Sequence, residues 1–235
     1  MTAALRDAGA ALIGVALVLT SLVLIWAARL SVPGVVYVSG LGATGMPTAR
    51  QFETALLLIV AGGSLIGFAG RHVRSGLRVL SAWTPAISLW VACGFFLVAS
   101  QVTCTPGCPT PLGPSFDWQD FTHIVCAVFA FAASCWAMLQ SSFVRDHRVL
   151  SRFSIAMGTS VAIIASAGGI LSLVNFATDV GSKLELVATS LAIGWVATYG
   201  VATAARRLAL THELQQSVRE TDENMDLVVV TLDPQ

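Results

Sequence analysis

The chain has 235 residues, of which 55% are hydrophobic and only 11% are charged, and its mean hydropathy is +0.77. This composition excludes an ordinary soluble domain and is typical of a polytopic membrane protein. The 13 basic residues balance the 13 acidic ones, so the net charge favours no nucleic-acid partner.

Six long apolar segments, none with a charge in its central turns, follow one another along the chain. A helix needs roughly 20 apolar residues to cross a bilayer. We predict transmembrane helices over 9–29, 54–71, 79–101, 121–143, 153–177 and 185–205. The first has no clear cleavage site after it, so we expect it to be retained. The predicted fold is an all-α bundle of six transmembrane helices over 1–205, followed by an acidic tail over 206–235.

The basic residues divide unequally between the two sides that this topology defines. Three lie on one side, namely Arg29, Arg50 and Lys183. The other ten lie on the opposite side, at positions 6, 71, 74, 78, 145, 148, 152, 206, 207 and 219. Because the excess of Lys and Arg in short loops marks the cytoplasmic side, we expect a multi-pass protein of the plasma membrane with both termini in the cytoplasm.

Small residues spaced four apart occur on two of the predicted helices. Gly63 and Gly67 form one such pair, and Gly158, Ala162 and Ser166 continue the pattern on another helix. Small side chains let helix backbones approach closely where lipid offers no hydrophobic drive. We interpret these positions as packing sites within the bundle.

Two longer loops lie on the side with few basic residues. The first, about 30–53, begins with a strand-like run over 35–38, and glycines suited to tight turns follow it. The second, about 102–120, contains Cys104 and Cys108 on either side of Pro106 and Gly107. A disulfide between these cysteines is expected on an oxidising side of the membrane. We expect the two loops to form a structured cap.

Polar side chains collect where three predicted helices begin on this same side. Asp120 and His123 are three residues apart, so they share a helix face. Glu53 and Glu185 occur at the starts of the other two helices. Acid and imidazole groups that converge there could act as general acid and base. Glu53, Asp120, His123 and Glu185 are therefore the candidate catalytic residues.

A structural role for the same cluster stays open. Carboxylates near a helix N-terminus are stabilised by its dipole and its unpaired N–H groups. Outer-face ion pairs could form among Arg50, Asp117, Asp179 and Lys183. The cluster has one histidine, which is too few for a typical zinc site, and the chain has no P-loop, G-x-S-x-G or H-E-x-x-H motif. We predict no metal and no cofactor.

Two loop motifs resemble those of a known membrane-protein family. The first has Pro33, the run Tyr-Val-Ser-Gly-Leu-Gly-Ala over 37–43, Pro47 and Phe52. The second is Cys-Thr-Pro-Gly-Cys-Pro over 104–109, with Asp117, Asp120 and His123 after it. Both are similar to bacterial, actinobacterial-type six-helix proteins of unknown function. That group is distantly similar to the damage-regulated autophagy modulators and the lipid-remodelling protein of GPI-anchor maturation. Eukaryotic members usually have an acidic residue where this chain has Gly40.

The resemblance implies a role linked to lipids or to membrane homeostasis. Our leading hypothesis is a non-catalytic protein that binds a membrane lipid, or a membrane protein partner, through its extracytoplasmic face. The alternative is a membrane-embedded enzyme that modifies lipids in the outer leaflet with the Asp, His and Glu cluster. A second alternative is a small-molecule transporter.

Overall fold

The structure, a computed structural model, describes residues 2–109, 111, 113, 115–144 and 148–231. Over these residues it contains six α-helices and no strand, which confirms the predicted all-α six-helix bundle. The helices are α1 (Thr2–Ser31), α2 (Ala49–Ala69), α3 (Pro85–Gln101), α4 (Trp118–Ser141), α5 (Arg148–Leu173) and α6 (Thr178–Thr231). A short 3-10 helix (Ser39–Gly42) lies between α1 and α2.

The helices have the lengths and surfaces of membrane spans. Five are long and apolar enough to cross a bilayer, and α3 is equally apolar but has only 17 residues. Large apolar side chains face outward from the bundle, among them Val23 at 67% exposure and Ile163 at 69%. Such a surface is unfavourable in water and suits contact with lipid chains.

The six helices form a closed ring. Each helix packs against the next in the chain, and α6 returns to pack against both α1 and α2. One end of the ring carries the 3-10 helix and the loop with Cys104 and Cys108, and we call it the loop end. The opposite end carries Arg71 and Arg207, and we call it the Arg end. Because α1, α2 and α6 all pack against one another, we refer to these three helices together as the wall of the bundle.

Glycines bring α1 and α2 into backbone contact and let α6 pack closely against both helices. A Cβ atom on Gly14 of α1 would lie 2.6 Å from the carbonyl oxygen of Gly62 of α2, and a Cβ on Gly62 would lie equally close to the oxygen of Gly14. On α6, a Cβ on Gly200 would lie 2.6 Å from Val15 and 3.0 Å from Ile66. Only glycine permits the backbone contact between Gly14 and Gly62, whereas a larger residue at Gly200 would have to displace the side chains of Val15 and Ile66.

Gly63 and Gly67 of α2 pack against α3, which agrees with the packing role that the sequence pattern predicts. A Cβ on Gly63 would lie 2.8 Å from the sulfur of Cys93, and one on Gly67 would lie 2.8 Å from the indole nitrogen of Trp90. These contacts join α3 to the wall formed by α1, α2 and α6.

A charged cluster ties the same three helices together at the Arg end. The carboxylate of Asp7, which is only 3% exposed, lies 3.1 Å from Arg71 and 3.7 Å from Arg207. Arg71 also packs over the ring of Phe68, and Arg207 donates a hydrogen bond to the carbonyl oxygen of Ala69. Because a buried charge is tolerated only when it is paired, Asp7 fixes the register of α1 against α2 and α6.

Several boundaries differ from those predicted. The third helix, predicted over 79–101, begins at Pro85, since proline favours the first turn of a helix. The sixth, predicted over 185–205, extends to Thr231 through residues with good helix propensity. The strand-like run over 35–38 is irregular and leads into the 3-10 helix. Among the described residues it has no neighbouring strand to pair with, and the backbone N–H group of Val38 donates to Glu185 of α6 instead.

We predict that Gly14→Ala destabilises the bundle. The added methyl group meets backbone atoms of α2, which cannot move aside as a flexible side chain can, so unfolding should become easier by about 1–3 kcal/mol. Thermal unfolding of the purified protein in detergent measures the loss.

The matched control is Gly94→Ala on α3, where a Cβ would meet nothing within 4 Å. It should leave the melting temperature unchanged or raise it slightly, because alanine is the better helix former. Equal melting temperatures for the two variants would contradict the close approach of α1 and α2.

Candidate functional site

An elongated cavity of about 80 Å³ lies inside the ring of helices. It is bounded by α1, α2, α3, α4 and α6. The first of the two longer loops, between α1 and α2, lines one end of it, and we call this segment loop 1. Apolar side chains such as Leu56, Phe131 and Ile193 make up most of its lining. Apart from the thiol of Cys93, two ionisable side chains line the cavity, namely His123 and Glu185. Each lies within two turns of the start of its helix at the loop end. The cavity is therefore apolar along its length and polar at one end.

The length of the cavity matches one leaflet of a bilayer. Its lining extends over 52–63 of α2, 123–134 of α4 and 185–196 of α6. At a rise of ~1.5 Å per residue these stretches cover about 16 Å. One leaflet contributes ~15 Å, half of the hydrocarbon core. The cavity is therefore about as long as one leaflet of the hydrocarbon core is thick.

Glu185 holds loop 1 over the polar end of the cavity. Its two carboxylate oxygens accept hydrogen bonds from the backbone N–H groups of Val38 at 2.7 Å and Ser39 at 3.3 Å. These two residues begin the 3-10 helix, and both also line the cavity. One carboxylate thus joins α6 to a loop almost 150 residues earlier in the chain.

His123 joins α4 to the end of α3. Its Nδ1 atom lies 3.1 Å from the carbonyl oxygen of Ala99 and 2.7 Å from that of Val102. Because a carbonyl oxygen can only accept, Nδ1 carries the proton. Its Nε2 atom makes no hydrogen bond to any residue in the described part of the chain, and the ring lines the cavity. In the neutral ring Nε2 is a free acceptor.

Asp120 is fully buried and fastens the second loop to α4. Its oxygens accept hydrogen bonds from the N–H group of Thr105 at 2.8 Å, from the hydroxyl of Thr105 at 2.8 Å and from the N–H group of Asp117 at 3.4 Å. Asp117 in turn caps the first turn of α4, which completes a capping box. Thr105 lies between Cys104 and Cys108, which are at disulfide-bonding distance. The loop is therefore tied at two points.

The two loops form the predicted cap. The N–H group and the hydroxyl of Thr44 in loop 1 both donate to the carbonyl oxygen of Cys104 in the second loop, at 2.9 and 3.1 Å. Through Glu185, Asp120 and these bonds, the cap connects to α6 and α4. The polar end of the cavity lies beneath a hydrogen-bonded cover.

The structure separates the four candidate catalytic residues. His123 and Glu185 line one cavity, whereas Asp120 lies under the second loop and shares no hydrogen bond with His123. Glu53 is half-buried on α2 and is not part of the cavity lining. Within the described ranges, Glu53 takes part in no side-chain hydrogen bond or ion pair.

Among the described residues, the four side chains expected to form outer-face ion pairs are not paired with one another. Asp117 accepts the N–H groups of Gln119 and Asp120 as a helix cap. The side chains of Arg50, Asp179 and Lys183 are exposed, and no ion pair joins them to another residue that the structure describes. The described residues contain no group of three or more His, Cys, Asp or Glu side chains placed to hold a metal ion.

Sequence reasoning did not find the cavity itself. Its α2 wall consists of Phe52, Leu56, Ile59 and Gly63, a stripe at helical spacing. The same spacing is typical of any packed helix face, so the stripe alone gives no sign of an open space. Ser39 lines the cavity from loop 1, and the sequence indicated no role for it beyond its place in the motif over 37–43.

The fold and its cavity define a multi-pass α-helical membrane protein. No family model matches the chain, and no curated protein or solved structure matches it either. The resemblance of the two loop motifs to the six-helix family stays a prediction.

We predict that Asp120→Ala makes the bond between Cys104 and Cys108 easier to reduce. The variant loses three hydrogen bonds that hold the loop against α4, so the loop should open more often and react about tenfold faster with dithiothreitol. Alkylation of the released thiols, followed by mass spectrometry, gives the rate.

Two further variants calibrate this measurement. Asp120→Asn keeps one acceptor oxygen and should fall between Asp120→Ala and the unaltered protein. Glu53→Gln removes a carboxylate that also lies near the loop end of the bundle, and it should leave the rate unchanged. Identical rates in all four proteins would show that Asp120 does not secure the loop.

Proposed function

We propose that this protein binds a membrane lipid in the cavity, with the lipid's chain among the apolar side chains and its polar end near His123 and Glu185. Such binding would serve membrane or envelope homeostasis. The single observation that carries the proposal is a cavity about as long as one leaflet, lined mostly by apolar side chains, with its imidazole and carboxyl groups at the loop end.

The energetics of such binding differ from binding in water. Moving an acyl chain from the bilayer into an apolar cavity gains little hydrophobic free energy, because both surroundings are apolar. Filling an empty space does restore dispersion contacts that the lining lacks. Selection among lipids must therefore come from the shape of the cavity and from hydrogen bonds at the polar end, where His123 offers an unused acceptor.

The orientation of the protein decides which leaflet supplies the lipid. We propose that the loop end faces the outside of the plasma membrane and that both termini are cytoplasmic. The strong bias of basic residues to the Arg end supports this orientation. The lipid would then come from the outer leaflet.

We predict that filling the cavity expels the lipid. Ala127 of α4 lines the cavity, and leucine at this position would occupy part of its volume. Native mass spectrometry of the protein released from its own membrane should show one retained lipid in the unaltered protein. The same measurement should show at least a severalfold lower occupancy in Ala127→Leu.

Ala132→Leu is the matched control. It makes the same substitution on the same helix at an exposed position that does not line the cavity, and it should retain the lipid fully. An unaltered protein that carries no lipid, or equal retention in both variants, would refute the proposal. A retained protein partner without lipid would favour the partner-binding form of our hypothesis.

Lipid modification is a second candidate, favoured by the placement of His123. Its Nδ1 proton is held by two carbonyl oxygens, so Nε2 could act as a general base toward a group in the cavity. Binding alone predicts that the retained lipid keeps its mass during prolonged incubation with the protein. A mass change that is abolished in His123→Gln, with lipid retention intact, would instead establish catalysis.

A further inference from the structure

We infer that the occupant of the cavity is an amphiphile with a single alkyl chain and a headgroup that donates a hydrogen bond, such as a hydroxyl or an amine. The inference rests on the proposed lipid-binding function. It adds the number of chains and the chemistry of the headgroup.

The width of the cavity limits it to one chain. Its volume of about 80 Å³ is drawn out along α2, α4 and α6. That volume holds roughly six water-sized groups, so the cavity encloses a segment of one alkyl chain and leaves no room beside it for a second. A second acyl chain or a fused ring system would need a wider space between the helices.

Away from the loop end, the cavity lining offers no free hydrogen-bond donor from a hydroxyl group. Besides the groups at the loop end, the lining has two hydroxyls, on Thr189 and Ser134, and each already donates to a carbonyl oxygen of its own helix. The free thiol of Cys93 behaves as a small apolar group. An unbranched alkyl chain fits this surface, and a chain with polar substituents does not.

The polar end presents hydrogen-bond acceptors. In the neutral ring of His123, whose one proton is on Nδ1, Nε2 is an acceptor, and the carboxylate of Glu185 can accept further bonds beyond those from Val38 and Ser39. Among the described residues that line the cavity there is no lysine or arginine. A fatty-acid anion would meet the Glu185 carboxylate without a counter-ion, whereas a hydroxyl or amine would find acceptors.

Cys93 is a natural reporter of occupancy, because it lines the cavity and its thiol is free. The experiment uses the full chain with Cys126→Ala and Cys135→Ala, in a bile-salt detergent that has no alkyl chain. Methyl methanethiosulfonate then labels Cys93 in the presence of one of three probes. These are 1-tetradecanol, its methyl ether 1-methoxytetradecane, and tetradecanoate.

We expect 1-tetradecanol to slow the labelling of Cys93. The ether and the acid should need about tenfold higher concentrations for the same protection, the factor that one hydrogen bond supplies. In His123→Leu the alcohol should lose most of its advantage over the ether. The melting temperature, followed by tryptophan fluorescence, should rise in the same order, because a ligand that binds only the folded state stabilises it.

The possible failures are distinguishable. Equal protection by the alcohol and the acid, or by the alcohol and the ether, would overturn the headgroup assignment and leave lipid binding standing. Equal protection by a two-chain phosphatidylglycerol would overturn the single-chain assignment alone. If no amphiphile protects Cys93 or raises the melting temperature, both the inference and the proposed function fail.

Discussion

The close approach of α1 to α2 and α6 is the constraint on which the rest of the structure depends. A bilayer offers no hydrophobic force to press helices together, so contact between backbones must supply the attraction. Gly14 and Gly62 bring the backbones of α1 and α2 to that distance, and Gly200 lets α6 pack closely against side chains of both helices. The pairing of Asp7 with Arg71 and Arg207 closes the same three helices at the Arg end. This wall positions one side of the cavity.

The other side of the cavity is held by polar groups at the loop end. Asp120 fastens the second loop, His123 fastens the end of α3, and Glu185 fastens loop 1. Each is a buried or half-buried group whose hydrogen bonds offset the cost of removing it from water. Residue types that suggest acid and base chemistry in the sequence therefore act first as structural ties. The Nε2 atom of His123 is left without a hydrogen bond to any described residue, and the residue lines the cavity.

The lipid site that we propose would separate affinity from selectivity. The apolar walls accept any chain of suitable width, because a chain gains little on leaving the bilayer. Discrimination rests on the polar end, where an unmatched donor or acceptor costs more than a matched one gains. The cap that Thr44 and Glu185 hold in place covers the end of the cavity that His123 lines. The cap and the cavity therefore act as one site.

The sequence by itself determined the six helices, the cysteine pair and the packing role of Gly63 and Gly67. Apolar length, residue spacing and small side chains are local properties of the chain, and a bilayer requires each apolar segment to be helical. Only the tertiary structure decided that His123 and Glu185 share a cavity while Glu53 lies outside its lining. Those relations join residues far apart in the chain, and the rotation of each helix about its own axis settles them. That rotation depends on contacts with neighbouring helices, which no local pattern contains.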